Sequence, residues 1–189
     1  MLRDLILANR SYRRFDQQVA VNRQTLMELV DLARLSASAA NRQPLKYLLS
    51  WEPEKNARIF PYLAWAGYLT NWPGPAEGER PAAYIVILGD TRISPSFGCD
   101  HGIAAQSILL GAVEKGLGGC MIGSVDREGL RRELQIPQPL EMLLVLALGK
   151  PKETVVLETV GPTGDVRYWR DAAGVHHVPK RRLEDLIIL

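Results

Sequence analysis

Leu26, Leu29, Val30 and Ala33 fall at i, i+3, i+4 and i+7, so the segment after Asn22 carries one apolar stripe. That period predicts a helix, with Asn22 as its N-cap. Residues 2 to 9 predict a shorter apolar-rich helix, closed by the polar break NRSYRRFD. LKYLLSW predicts a strand and PEKNARIFPYL a short helix, while AAYIVILGD and LEMLLVLALG are continuous apolar runs of the kind buried strands show. Residues 100 to 116 are apolar almost all round, which predicts a central helix buried on every side. GLGGCMIG reads as a glycine-rich turn into a strand, and REGLRREL as an exposed helix.

Between these elements the pattern breaks in three places. SASAANRQP, residues 36 to 44, has neither a helical nor a strand period, and Pro44 should push Gln43 towards extended geometry. Small residues separating hydroxyls, an amide and a guanidinium suit a backbone that closes on something polar. WAGYLTNWPGPAEGERP, residues 65 to 81, is the longest irregular stretch, and loops of that length are usually lids or binding loops. In the tail, VRYWRDAAGVHHV reads as a hairpin around Asp171 to Gly174. PKRRLEDLIIL closes the chain on an apolar end that needs a docking surface.

Composition narrows the classes. The chain has 189 residues, 47% hydrophobic and 23% charged, which predicts one globular domain over 1–189. A net charge of +2 is too small to imply nucleic acid. No apolar stretch reaches the roughly 18 residues of a membrane span, so no membrane partner is expected. Cys99 and Cys120 make no C-x-x-C and the N-terminus has no signal-peptide pattern, which predicts a cytoplasmic protein without disulfides.

Nucleotide P-loops, nucleophile elbows and zinc-protease motifs are all absent, and no run of residues has metal-ligand spacing. Neither a catalytic side chain nor a metal ligand is assigned. His176 and His177 are adjacent, so on a strand they point to opposite faces; surface positions in the hairpin are expected for both. His101 opens the buried helix, as core or as site. Cys120 reads as a packing residue. What remains is anion-binding chemistry. Arg10, Ser11, Arg13 and Arg14 cluster near one end, and Lys180, Arg181 and Arg182 near the other. Guanidinium forks and hydroxyls suit phosphate oxygens, although either cluster alone also fits a solvated surface. In GLGGC, missing side chains let backbone N–H groups approach a ligand, or serve a tight strand entry.

RSYRRF, SASAANRQP, DHGIAAQSILLGAVEKGLGGCMIG, LALGKPK and VPKRRLEDLI, in that order, resemble the motifs of nitroreductase-like FMN-dependent flavoproteins. The chain departs from that pattern at Ala37, where the family commonly has proline, and at Leu45, where an aromatic is common. The resemblance implies an α+β fold: a mostly antiparallel central sheet of four or five strands wrapped by helices, with a C-terminal extension, 152–189, swapped onto the partner of a homodimer.

It also implies FMN (flavin mononucleotide) sites at the dimer interface. Arg10, Ser11 and Arg13 would hold the FMN phosphate and ribityl chain, with Lys180 and Arg182 completing the phosphate site. Ser36, Ser38 and Asn41 would approach the flavin from the partner chain. Gly118 and Gly119 would turn backbone N–H groups towards the pyrimidine and N5. The implied activity is reduction of the flavin by NADH or NADPH, then ping-pong reduction of a small acceptor such as a nitroaromatic, quinone or enone. Tyr68 and Trp72 would stack on the acceptor or nicotinamide, or pack the dimer interface. Two other readings stand beside this one: a flavin-fragmenting or reductive-dehalogenating relative on the same fold, and a non-catalytic module binding an anion or flavin.

Overall fold

The structure is a computed structural model, described for residues 1–188. In chain order it runs α1 (Leu2–Ala8), β1 (Phe15–Asp16), α2 (Arg23–Arg34), β2 (Leu45–Ser50), α3 (Pro53–Ile59), β3 (Ala83–Asp90), α4 (Asp100–Glu114), β4 (Gly118–Ile122), α5 (Arg127–Glu133), β5 (Leu140–Pro151), β6 (Val155–Thr159), β7 (Trp169–Arg170) and β8 (His176–Lys180). Asn22 caps α2 as its side chain predicts, accepting from the Thr25 N–H at 2.8 Å. Leu26, Leu29 and Ala33, from the predicted stripe, are buried.

The central sheet has the order β1-β5-β3-β2, with β4 also on β5, and every pairing in it is antiparallel. β3 is buried along its whole length because both faces are covered. Ile85 and Ile87 join α2 and α4 in one core. Tyr84, Val86 and Leu88 turn the other way, into a core with Ile59, Leu63, Trp65 and Leu130. The run AAYIVILGD is therefore apolar at both parities, since a strand between two cores cannot alternate.

Three expectations are corrected. α4 is not buried on every side: Ala104, Ala105, Ile108, Leu109 and Ala112 are, but Gly102 and Gln106 are exposed. Gln43 does not extend before Pro44; its φ is 52°, in the left-handed region, where Ala40 (49°) and Asn41 (53°) also lie. The tail is more than a hairpin. β7 pairs antiparallel with β8 across the turn at Asp171 to Gly174, as expected, but β8 also pairs in parallel with β6. Residues 155–180 thus form a three-stranded sheet on their own chain. The apolar end lies beyond it, with Leu183, Leu186, Ile187 and Ile188 exposed.

Candidate functional site

Both ends of the chain meet at one carboxylate. The Glu153 side chain is 1% exposed and pairs with Arg170 of β7 at 2.9 Å. It also accepts from the backbone N–H groups of Arg13 and Arg14. Burying a carboxylate is costly unless it is paired and hydrogen-bonded, and here both conditions hold. The N-terminal segment is also fixed laterally. The Tyr12 N–H donates to the Gly119 carbonyl at 3.0 Å, and Arg14 grips Glu79 of the 65–81 segment with two bonds of 2.7 and 2.6 Å. Held this way, the segment directs Arg10, Ser11 and Arg13 into one cavity.

β8 supplies the opposite wall. With a period of two, His176, Val178 and Lys180 share a face, and all three line the cavity. His177 points the other way, between Glu158 and Asp171, and stacks on Trp169 at 4.9 Å. Those two carboxylates raise the His177 pKa. The expectation of two surface histidines is overturned for His176, which is 1% exposed. Burial and then the neighbouring Arg13 and Arg170 push its pKa down to about 4, so at neutral pH it is uncharged.

The cavity has a volume of about 300 Å³, and Asn9, Gln106, Leu109, Met121 and Tyr168 complete its lining. Arg10, Arg13 and Lys180 line it and no carboxylate does. Two buried nitrogens there, Arg10 Nε and His176 Nδ1, have no hydrogen-bond partner among the described residues. Buried donors without partners are uncommon in folded proteins, and two in one basic cavity fit an anionic ligand rich in acceptors. FMN, with a phosphate, a polyol and a carbonyl-bearing ring, is such a ligand. A second cavity of about 170 Å³ begins at Arg13 and runs along Trp65, Gly67, Met121 and Ser124.

The remaining expected residues are placed elsewhere. Ser36 and Ser38 line a separate cavity with Asp100 and Ala104. Ser38 donates to Asp100 at 2.6 Å and accepts from the Gln43 N–H at 2.9 Å, while the Ala39 N–H donates to Asp100 at 3.0 Å. Asp100, which the sequence reading did not single out, is the polar group on which SASAANRQP closes. Ser36 shares a 2.7 Å bond with Ser107. Asn41 stands exposed at the tip.

Gly118 and Gly119 are buried in β4 and belong to neither cavity lining. A Cβ on Gly119 would lie 2.6 Å from the Ala147 carbonyl oxygen and 2.6 Å from Leu109 Cδ2. Close packing alone therefore requires glycine there. Arg182 pairs with Glu184 and Asp185 rather than turning into the cavity. Tyr68 packs against Tyr168 with ring centroids 4.9 Å apart and the planes tilted by 55°, and Trp72 lies under the Arg170 guanidinium at 4.7 Å. Cys120 is buried, and burial pushes its thiol pKa up, as a packing residue requires. No group of three or more potential metal ligands occurs among the described residues, and no described helix is long and apolar enough to cross a membrane.

YodC of Bacillus subtilis (strain 168), named as an NAD(P)H nitroreductase, is 22% identical over 196 residues, covering 88% of this chain and 97% of its own. The nitroreductase family protein of Streptococcus pneumoniae TIGR4 superposes with a TM-score of 0.69 at 16% identity, over 86% of this chain and 96% of that one. An FMN-dependent nitroreductase of Clostridium difficile R20291 gives 0.64 at 23% identity, over 79% and 87%. The sequence pattern of the nitroreductase family matches residues 6–73 and 77–150. With most of the chain matched and the same helix-wrapped antiparallel sheet, the protein belongs to the nitroreductase family of oxidoreductases.

Proposed function

We propose that the chain is an FMN-dependent NAD(P)H oxidoreductase that reduces a small acceptor (a nitroaromatic, quinone or enone) by a ping-pong route. The observation that carries this is the basic cavity with no lining carboxylate and two unpartnered buried nitrogens. Arg10 and Lys180 grip the phosphate from opposite walls of the cavity, Arg182 turns from its acidic neighbours to join them, and Ser11 and Arg13 hold the ribityl chain. FMN held there would supply the redox chemistry, hydride transfer from NADH or NADPH to the acceptor. Gly118 and Gly119 set how closely Tyr12 and Leu109 approach the site. Tyr68 and Trp72, packed on Tyr168 and Arg170, offer stacking surfaces for nicotinamide and acceptor.

The active form is a homodimer, each chain one domain with its extension. α1 has no buried residue, and Leu2, Ile6 and Leu7 stay exposed beside the open face of α4. A second copy covers these surfaces and receives the apolar end, 183–188, which completes the swapped extension. In that arrangement Ser36 and Ser38 shape the loop through Ser107 and Asp100, and Asn41 at its tip reaches the partner's flavin. The two cysteines, free in this fold, suit a cytoplasmic setting.

Flavin titration tests the reading. FMN should bind much more tightly than riboflavin, which lacks the phosphate. Arg13→Ala should weaken FMN binding by roughly 10- to 100-fold, since charge-assisted bonds contribute about 1.5–3 kcal/mol each. Turnover should give parallel double-reciprocal lines. Failure to bind FMN, or equal affinity for both flavins in the wild type, would sink the proposal.

A further inference from the structure

Arg13 fixes the tautomer of His176. Arg13 Nη1 lies 3.2 Å from His176 Nε2. A guanidinium has five N–H donors and no lone pair to offer, so Nε2 must be the acceptor in this contact. A neutral ring that accepts at Nε2 carries its proton on Nδ1. Nδ1 is buried and has no partner among the described residues. The ring is also clamped: Tyr168 packs against it with centroids 5.1 Å apart, and the Arg13 guanidinium covers the other ring of that pair, 4.8 Å from the Tyr168 centroid. The result is a rigid, uncharged N–H donor beside a cation, in the wall of the basic cavity.

From this geometry we infer that His176 is a cofactor-binding residue, one that holds Arg13 in place and donates its Nδ1–H to the pyrimidine edge of the flavin, at N1 and the C2 carbonyl oxygen. The inference rests on the FMN reading above. Its direction comes from β8. His176 and Lys180 lie four residues apart on one strand face, roughly 13 Å at about 3.3 Å per residue. In FMN the ribityl chain separates the phosphate from the ring in the same sense. With the phosphate at the Lys180 end, the acceptor edge of the ring falls towards His176 and Arg13. That edge carries the negative charge of the reduced, anionic flavin, so a fixed donor there favours the reduced form.

The test compares wild type with three variants. His176→Phe keeps an aromatic ring against Tyr168 and removes both nitrogens. His176→Asn places an amide near the Nδ1 position, and His176→Gln places one near Nε2. Affinities for FMN and riboflavin are read from quenching of flavin fluorescence, and the two-electron midpoint potential from anaerobic dye equilibration of the FMN-loaded proteins. His176→Phe should lose about tenfold in affinity for both flavins, because the contact is to the ring. The potential should fall by about 30 mV for each further tenfold lost by the reduced form over the oxidised one. His176→Asn should recover most of both effects and His176→Gln neither; this pair decides the matter if His176→Phe does not fold.

Long-range 1H–15N spectra of the wild type should show the proton on Nδ1. Four results would overturn the inference alone: wild-type behaviour of His176→Phe, a loss confined to FMN with riboflavin unaffected, equal behaviour of the Asn and Gln variants, or a proton on Nε2. A wild type that binds no flavin would overturn the FMN reading, and the inference with it.

Discussion

Glu153→Ala is the sharpest test of how the site is held. The substitution removes an almost fully buried carboxylate and leaves three donors without their acceptor: the backbone N–H groups of Arg13 and Arg14 and the Arg170 guanidinium. The Arg170 side chain is itself only 15% exposed, so water reaches it poorly. Breaking one side of a buried ion pair costs about 3–5 kcal/mol. The two backbone donors belong to half-buried residues and re-solvate in part, so we expect a loss of about 4 kcal/mol in total. For a chain of this size that lowers Tm by roughly 8–16 °C. Glu153→Gln keeps an acceptor oxygen and loses only the charge, and should cost less than half as much. Urea and thermal unfolding of the apoprotein measure both. Because Glu153 acts on the backbone of Arg13, FMN affinity should fall as well, even well below Tm. A Glu153→Ala protein within 1 kcal/mol of wild type (an order-of-magnitude bound for a surface change) would refute the idea that this carboxylate ties the two ends together.

Two other outcomes follow from the same structure. The His176 pKa, about 4 when folded against 6.5 unfolded, means the unfolded chain binds more protons between those values. Stability from this group is complete above pH 6.5 and is lost as pH falls towards 4, by at most about 3 kcal/mol; apo wild type should therefore show a steeper pH dependence of urea unfolding in that window than His176→Phe, with the opposing His177 contribution common to both. Gly119→Ala should destabilise the apoprotein by about 1–3 kcal/mol, since its Cβ meets a β5 carbonyl oxygen and Leu109 rather than open space; an unaltered midpoint in urea would show that the packing there is loose.

Local chemistry was legible in the sequence wherever neighbours along the chain decide the outcome. The stripe and cap of α2, the two-sided burial of β3 and the Asp171–Gly174 turn depend on period, side-chain type and turn residues. The order of motifs likewise brought Arg10, Ser11, Arg13 and Lys180 to notice, and the fold brings those four into one cavity. Distant partners decided the rest. Nothing near Gln43 announces a left-handed backbone, because Ser38 and Asp100 hold it there. Glu153 looks like one more charge after GKPK until Arg170 folds over it. His176 reads as surface in a polar hairpin because its burial depends on β6, Tyr168 and Arg13, none of which a local pattern reveals. Burial of α4 was over-predicted because Gly102 and Gln106 are too few to mark an open face in so apolar a run, yet both are exposed.

The cavity joins residues that lie far apart along the chain. Arg13 and His176 are 163 positions apart, and Arg13 and Glu153 are 140 apart. During synthesis the N-terminal arginines emerge first, yet their binding wall exists only once β8 has left the ribosome. The central sheet is complete by Pro151, so it can form while the basic segment still lacks a lid. Contacts this remote in sequence close late, since the chain pays loop entropy before they return anything. If the cavity takes FMN as proposed, a chain cut short after β5 would keep the central sheet and only the N-terminal half of the phosphate grip, and would leave the flavin in solution.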